Sequence, residues 1–184
     1  RFLRRNPFQN PWTDGLFYRE KMRSIHRIAP DEVEGWILDI GGGSSGMLKL
    51  LYPSAKVVTI DIDPGTIIRD AAPGVTNPSH PTVGDACRLP FESDVFGLVA
   101  LFDVIEHIVD HDAAISEALR VLRPGGCLLV TTPKSTWHYP RFAPLRRHVR
   151  SEIDLMDEWG HVRRGYDEDG LDRLIGLTPI STAT

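Results

Sequence analysis

Asp39, Gly41, Gly43, Gly46 and Asp61 are the residues whose types and spacing carry the clearest chemistry in this chain. The three glycines complete a GxGxxG pattern inside the stretch ILDIGGGSSGMLKLL, and Asp61 lies twenty positions beyond Gly41. Glycines so spaced allow a tight turn and close backbone approach to a ligand, while an acid about twenty residues on receives ribose hydroxyls. The pattern means little without a strand before it and a helix after it. Here an apolar run precedes the turn and an apolar-periodic segment follows, so a βαβ unit binding a nucleotide-like ligand is expected.

Asp39 bears on which nucleotide. A dinucleotide places its pyrophosphate at the helix N-terminus, where N–H groups and the helix dipole favour negative charge. A carboxylate two residues before the first glycine sits badly beside that anion. It suits a ligand with no phosphate and a cationic amino group, and S-adenosylmethionine is one. The alternative is a strand-end carboxylate that only fixes the turn.

The elements that must hold these residues follow from periodicity. Residues 36–40 read as a buried strand, 45–52 as a helix, and KVVTIDI as a β-branched strand ending at Asp61. VGDACRLPF gives a weak strand ending near Asp85, and FGLVALFDVI a continuous apolar strand suited to the middle of a parallel sheet. A helix over 112–122, with Ala114, Ile115, Ala118, Leu119 and Leu122 on one face, should stop at the RPGG segment, and CLLVTTP follows as a fifth strand. An N-terminal helix capped at Thr13 or Asp14, a short one from Pro64 and a last one over 167–176 complete the series. This alternation implies an α/β, doubly wound, mainly parallel sheet with helices on both faces. The organisation expected is a single domain over 1–184, with an N-terminal helical region at 1–34, a cofactor-binding core at 35–132, a substrate lid at 133–165 and a last helix with a shortened end at 166–184.

Composition narrows the class. A net charge of −4 argues against general nucleic-acid binding, and no apolar run approaches the length of a membrane span. Cys87 and Cys127 suggest no disulfide framework, so a reducing cytoplasm is the expected compartment.

In order along the chain, ILDIGGGSSG, VVTIDIDP, GDACRLPF, FDVIEHI and LRVLRPGGCLLVTTP resemble the motifs of class I, Rossmann-like S-adenosylmethionine-dependent methyltransferases of the type 11-like group. The likeness is strongest over 35–133. It implies that Asp39, Gly41, Gly43 and Gly46 surround the methionine part of S-adenosylmethionine and that Asp61 holds the ribose hydroxyls, with Gly42 and Ile62 also among the cofactor-binding residues. Asp85 and Ala86 would meet the adenine and Phe102 would lie beside the cofactor, with S-adenosylhomocysteine as product. From the residues alone, Asp85 has a second reading as a turn residue in a Gly-Asp pair. The family adds antiparallel strands after the last helix, for which little chain remains here.

Histidines and charges supply the weaker candidates. His107 and His111 are four apart, as paired ligands on a helix would be, but a turn is expected between strand and helix there, so no metal is predicted. Arg146 and Arg147 lie in a basic run over 141–150, which reads either as a solvated face or as arginine forks for an anionic small-molecule acceptor. Trp137, Trp159 and Tyr166 are further substrate-side candidates, and His138 or His161 could act as general base where the acceptor needs one. Methyl transfer to oxygen, nitrogen or carbon stays open. The rival readings are a nicotinamide-dependent oxidoreductase, which leaves Asp39 unexplained, and a non-catalytic cofactor-binding module.

Overall fold

A computed structural model of the chain describes residues 14–43, 46–67, 80–136 and 156–180. In order, the elements are α1 (Asp14–Ile28), β1 (Trp36–Ile40), α2 (Met47–Leu51), β2 (Lys56–Asp61), α3 (Pro64–Ile67), β3 (His80–Val83), β4 (Phe96–Phe102), α4 (His111–Val121), β5 (Leu122–Thr131) and α5 (Glu168–Ile175). The five strands form one parallel sheet in the order β3-β2-β1-β4-β5. Strand order reverses between β1 and β4, and ligands of open α/β sheets bind in the crevice at the carboxyl ends of such a switch point.

Side chains alternate across the strands, and both faces are buried. Leu38, Ile40, Val58, Ile60, Val99 and Leu101 point to one face, where Ile115, Ala118 and Val121 of α4 pack, with Leu171 and Leu174 of α5 against them. Ile37, Val57, Leu98, Ala100 and Phe102 point to the other, against Met22 and Ile25 of α1 and Met47 and Leu48 of α2. Two buried faces explain why β1, β2 and β4 read as near-continuous apolar runs. The doubly wound arrangement expected from the sequence is present.

Three local expectations are corrected. The third strand is His80–Val83, ahead of the predicted segment, while Asp85 pairs only with Arg88 in an isolated antiparallel bridge. The fourth helix ends at Val121, before RPGG, because Leu122 already pairs with Phe96; the register then shifts so that Leu98 meets Cys127. The second helix begins at Met47, later than predicted, with Gly46 in the left-handed region at its N-cap (φ 57°). The predicted start at Ser45, and the turn-rich run before His80, fall outside the described residues.

Helix ends follow capping chemistry. Asp110 accepts from the Ala113 N–H to start α4, and Asp167 accepts from the Gly170 N–H to start α5, which closes on Gly176 in the left-handed region.

Candidate functional site

The glycine turn joins β1 to α2 at the carboxyl edge of the sheet. Gly41 donates its N–H to the Ile60 carbonyl at 2.7 Å and takes φ 64°, a conformation that disfavours any side chain. A Cβ there would lie 2.5 Å from a Val104 methyl, so the glycine is also what lets the segment after β4 close onto the turn. A Cβ on Gly42 would lie 2.4 Å from Oδ2 of Asp39. Asp39 is itself buried, at 3% exposure, directly beneath the turn. Carboxylate and turn are thus packed together.

Asp61 ends β2 beside this turn. Its Oδ1 accepts the Asp63 N–H at 3.0 Å, and its Oδ2 lies 3.5 Å from where a Cβ of Gly43 would stand. One oxygen therefore secures the following turn while the other borders the glycine loop. Ile62 is 72% exposed, an apolar side chain on the surface next to Asp61. Asp85 is exposed and its Oδ1 accepts the Cys87 N–H at 2.8 Å, so part of its role is the turn reading. Ala86 is half-buried against the core, and Phe102 is buried at the end of β4.

The 85–91 segment is held from below by an ion pair that sequence reasoning missed. Glu117 accepts from the Leu89 N–H and from Arg120, and Arg120 donates to the carbonyls of Leu89 and Phe91. The arginine neighbour holds the Glu117 carboxyl below its ordinary range.

The turn after β4 forms the other side of the site. Asp103 adopts φ 53°, unusual for a non-glycine residue, and its carboxylate pairs with Lys21 of α1 and accepts from the Thr131 hydroxyl at 3.1 Å. Glu106 is fully buried. Among the described residues neither of its carboxylate oxygens has a hydrogen-bond partner, and the neighbouring Thr132 hydroxyl is unpartnered as well. Burial first, and then the Asp103 charge, push the Glu106 carboxyl up to about 7, with the Lys21 ammonium pulling the other way.

Against this turn packs the segment carrying His161. The Val162 N–H donates to the Glu106 carbonyl at 3.0 Å, and His107 Nδ1 lies 3.1 Å from the Gly160 carbonyl. The two imidazoles meet edge to face at 4.5 Å. Arg163 donates to the carbonyls of Ile105, Ile108 and Val109, another contact with no signature in the sequence. Burial, and then His107, lower the His161 imidazole from its ordinary value.

Among the substrate-side candidates, Trp159 is partly exposed and its ring lies 5.8 Å from that of His161. Tyr166 packs against the core; its hydroxyl lies 2.6 Å from His111 Nδ1 and its backbone pairs with 133–135. His107 and His111, considered as a pair in the sequence, are separated here: His111 belongs to α4 and Tyr166, His107 to the turn and His161. Trp137, His138, Arg146 and Arg147 lie outside the described residues.

Known proteins share the fold and part of the sequence. The chain is 35% identical over 123 residues to the demethylmenaquinone methyltransferase of Mycobacterium marinum, covering 65% of this chain and 50% of that protein. The enzyme of the same name from Mycobacterium tuberculosis is 35% identical over 115 residues, covering 62% and 46%. The chain thus spans about half the length of the curated relatives it matches. Its fold is that of a SAM-dependent methyltransferase of Methanosarcina mazei (TM-score 0.61, 22% identity, 83% of this chain and 81% of that one). Phosphoethanolamine N-methyltransferase 2 of Haemonchus contortus, solved in complex with S-adenosyl-L-methionine, shares the fold as well (TM-score 0.66, 20% identity, 91% and 42%). Residues 38–130 match the methyltransferase domain family, and the chain belongs to that family.

Proposed function

We propose that this chain binds S-adenosylmethionine at the carboxyl edge of β1 and β2 and transfers its methyl group to a small-molecule acceptor, releasing S-adenosylhomocysteine. The observation that carries the reading is the packing of buried Asp39 under Gly42, with the Asp61 carboxylate beside Gly43. Asp39 and the glycine turn take the methionine end, Asp61 the ribose hydroxyls, Ile62 the face of the adenine, and Asp85 with Ala86 its edge. Phe102 flanks the sulfonium from β4. The sulfonium methyl is displaced in line: the acceptor's lone pair forms the new bond as the carbon–sulfur bond breaks onto sulfur. Such a step needs position and dryness more than covalent help.

The acceptor enters from the side of 133–165. His161 and Trp159 border that side, and Trp137, His138, Arg146, Arg147 and Tyr166 belong to the same proposal. Two cysteines, both free, suit a reducing compartment such as the cytoplasm. No helix among the described residues is long and apolar enough to cross a membrane.

Calorimetry with S-adenosylhomocysteine tests the reading. At a hundredfold excess over its dissociation constant the ligand should stabilise the fold by about 2.7 kcal/mol, visible as a thermal shift. A folded chain showing no shift at millimolar ligand overturns it, and a shift with NAD instead assigns the oxidoreductase reading.

A further inference from the structure

Glu106 poses a problem that the cofactor site does not solve. A carboxylate removed from water with neither oxygen hydrogen-bonded among the described residues is costly, and buried carboxylates are ordinarily paired or bound to a metal. Its immediate neighbours are ligand types. One carboxylate oxygen of Glu106 and one ring nitrogen each of His107 and His161 lie within 4.8 Å of one another. The surrounding bonds hold them there: Val162 N–H on the Glu106 carbonyl, and Arg163 on three carbonyls of the 105–109 turn.

We propose that Glu106, His107 and His161 bind one divalent first-row transition-metal ion, with further coordination positions left open. Two imidazoles and one carboxylate suit zinc, cobalt or iron better than magnesium or calcium, which prefer oxygen throughout. Three protein ligands with an open position is the layout of catalytic rather than structural sites. The Gly160 carbonyl can only accept, so His107 carries its proton on Nδ1 and keeps the Nε2 lone pair for the ion. Asp103 is left out of the set, because Lys21 and Thr131 already engage its carboxylate.

The ion's place gives it a use. Glu106 and His107 follow Val104, which closes on Gly41, so the cluster shares the sheet edge with the glycine turn. Resting on the methyl-transfer reading, the open positions take a hydroxyl oxygen of the acceptor, lowering its pKa and holding it at the site. The substrate class selected is a hydroxyl-bearing small molecule.

The test is calorimetric titration of chelator-treated protein with zinc, and separately with cobalt, whose visible absorption reports its ligands. One equivalent should bind, with affinity falling at least about tenfold in His107→Ala, His161→Ala and Glu106→Gln and holding in His111→Ala. Should Glu106→Gln fail to fold by circular dichroism, the two histidine variants, which alter side chains nearer the surface, decide alone. Absence of binding to wild type, or wild-type affinity in both histidine variants, overturns the site. S-Adenosylhomocysteine titrated into the same preparations separates the two ideas: metal failure with intact cofactor binding removes the ion only.

Discussion

At the ends of β1 and β2 the site is made of backbone and of residues close along the chain, whereas beyond β4 it is assembled from distant ones. Gly41 and Gly42 act by lacking a side chain, which leaves space for Val104 and for Asp39, and Gly43 acts by its left-handed backbone. The β4 side depends on what is added. The Gly160 carbonyl reaches His107 from 53 positions away, and Arg163 reaches Ile105 from 58. A ligand bound by backbone and one or two acids can be specified by a short motif. A ligand held by side chains from two segments needs the fold to bring them together, which leaves the second half free to vary with the acceptor while the first stays fixed.

The comparison breaks most visibly where the halves touch. Gly41→Ala should destabilise the fold by about 2–5 kcal/mol, the sum of overpacking against Val104 and a left-handed alanine. Adding Val104→Ala should recover part of that loss, giving a coupling of about 0.5–3 kcal/mol in thermal or denaturant unfolding. Strict additivity would mean that turn and β4 segment are not in contact.

Next in size is the pH response of the β4 side in metal-free protein. The folded pKa of Glu106 is about 7, raised from the 4.5 of a free glutamate, so the folded state prefers the protonated form. Its stabilising contribution is complete below about 4.5 and is lost as pH rises through 7. Glu106→Gln should therefore match wild type near about pH 4 and exceed it by up to about 3 kcal/mol at pH 8, read by unfolding in chelator. A constant difference across that range would remove Glu106 as the titrating group.

Asp61→Asn isolates the cofactor half. Asparagine keeps an oxygen for the Asp63 N–H but loses the charge and the second acceptor. Affinity for S-adenosylhomocysteine should fall tenfold or more, as expected for losing about 1.5–3 kcal/mol of charged hydrogen bonding. Binding unchanged in calorimetry would take Asp61 out of the site. The smallest effect on the fold is expected from Trp159→Ala. Its ring is partly exposed, so stability should move by less than about 0.5 kcal/mol, while the Michaelis constant for the acceptor rises and cofactor affinity holds. A parallel loss of cofactor affinity would assign Trp159 to the other half.

Much of the architecture could be read from local pattern. β1, β2 and β4 announce themselves because both sheet faces are buried, which demands apolar residues at every position. The last helix was readable from Asp167 and Gly176, which satisfy its end groups in the way their chemistry suggests. The third strand was not. His80–Val83 is short, mostly exposed and contains Pro81, tolerated because the strand lies at the sheet edge, so only pairing with β2 defines it. The end of α4 was missed for a similar reason, since Leu122 leaves the helix to pair with Phe96 rather than at a breaker residue.

By itself, then, the amino-acid order determined the glycine turn, the acids at 39 and 61, the parallel sheet and the membership they point to. Those features are short-range: a motif needs only its own backbone and the strand and helix beside it. Tertiary structure alone decided that Glu106 is buried with no carboxylate partner among the described residues, that His107 belongs with His161 instead of with His111, and that Arg163 fastens the two segments. Nothing within a few residues of any of these foretells its neighbour. Their meeting follows from β4 ending at the switch point and from the later segment folding back onto it, a consequence of packing that no local period encodes.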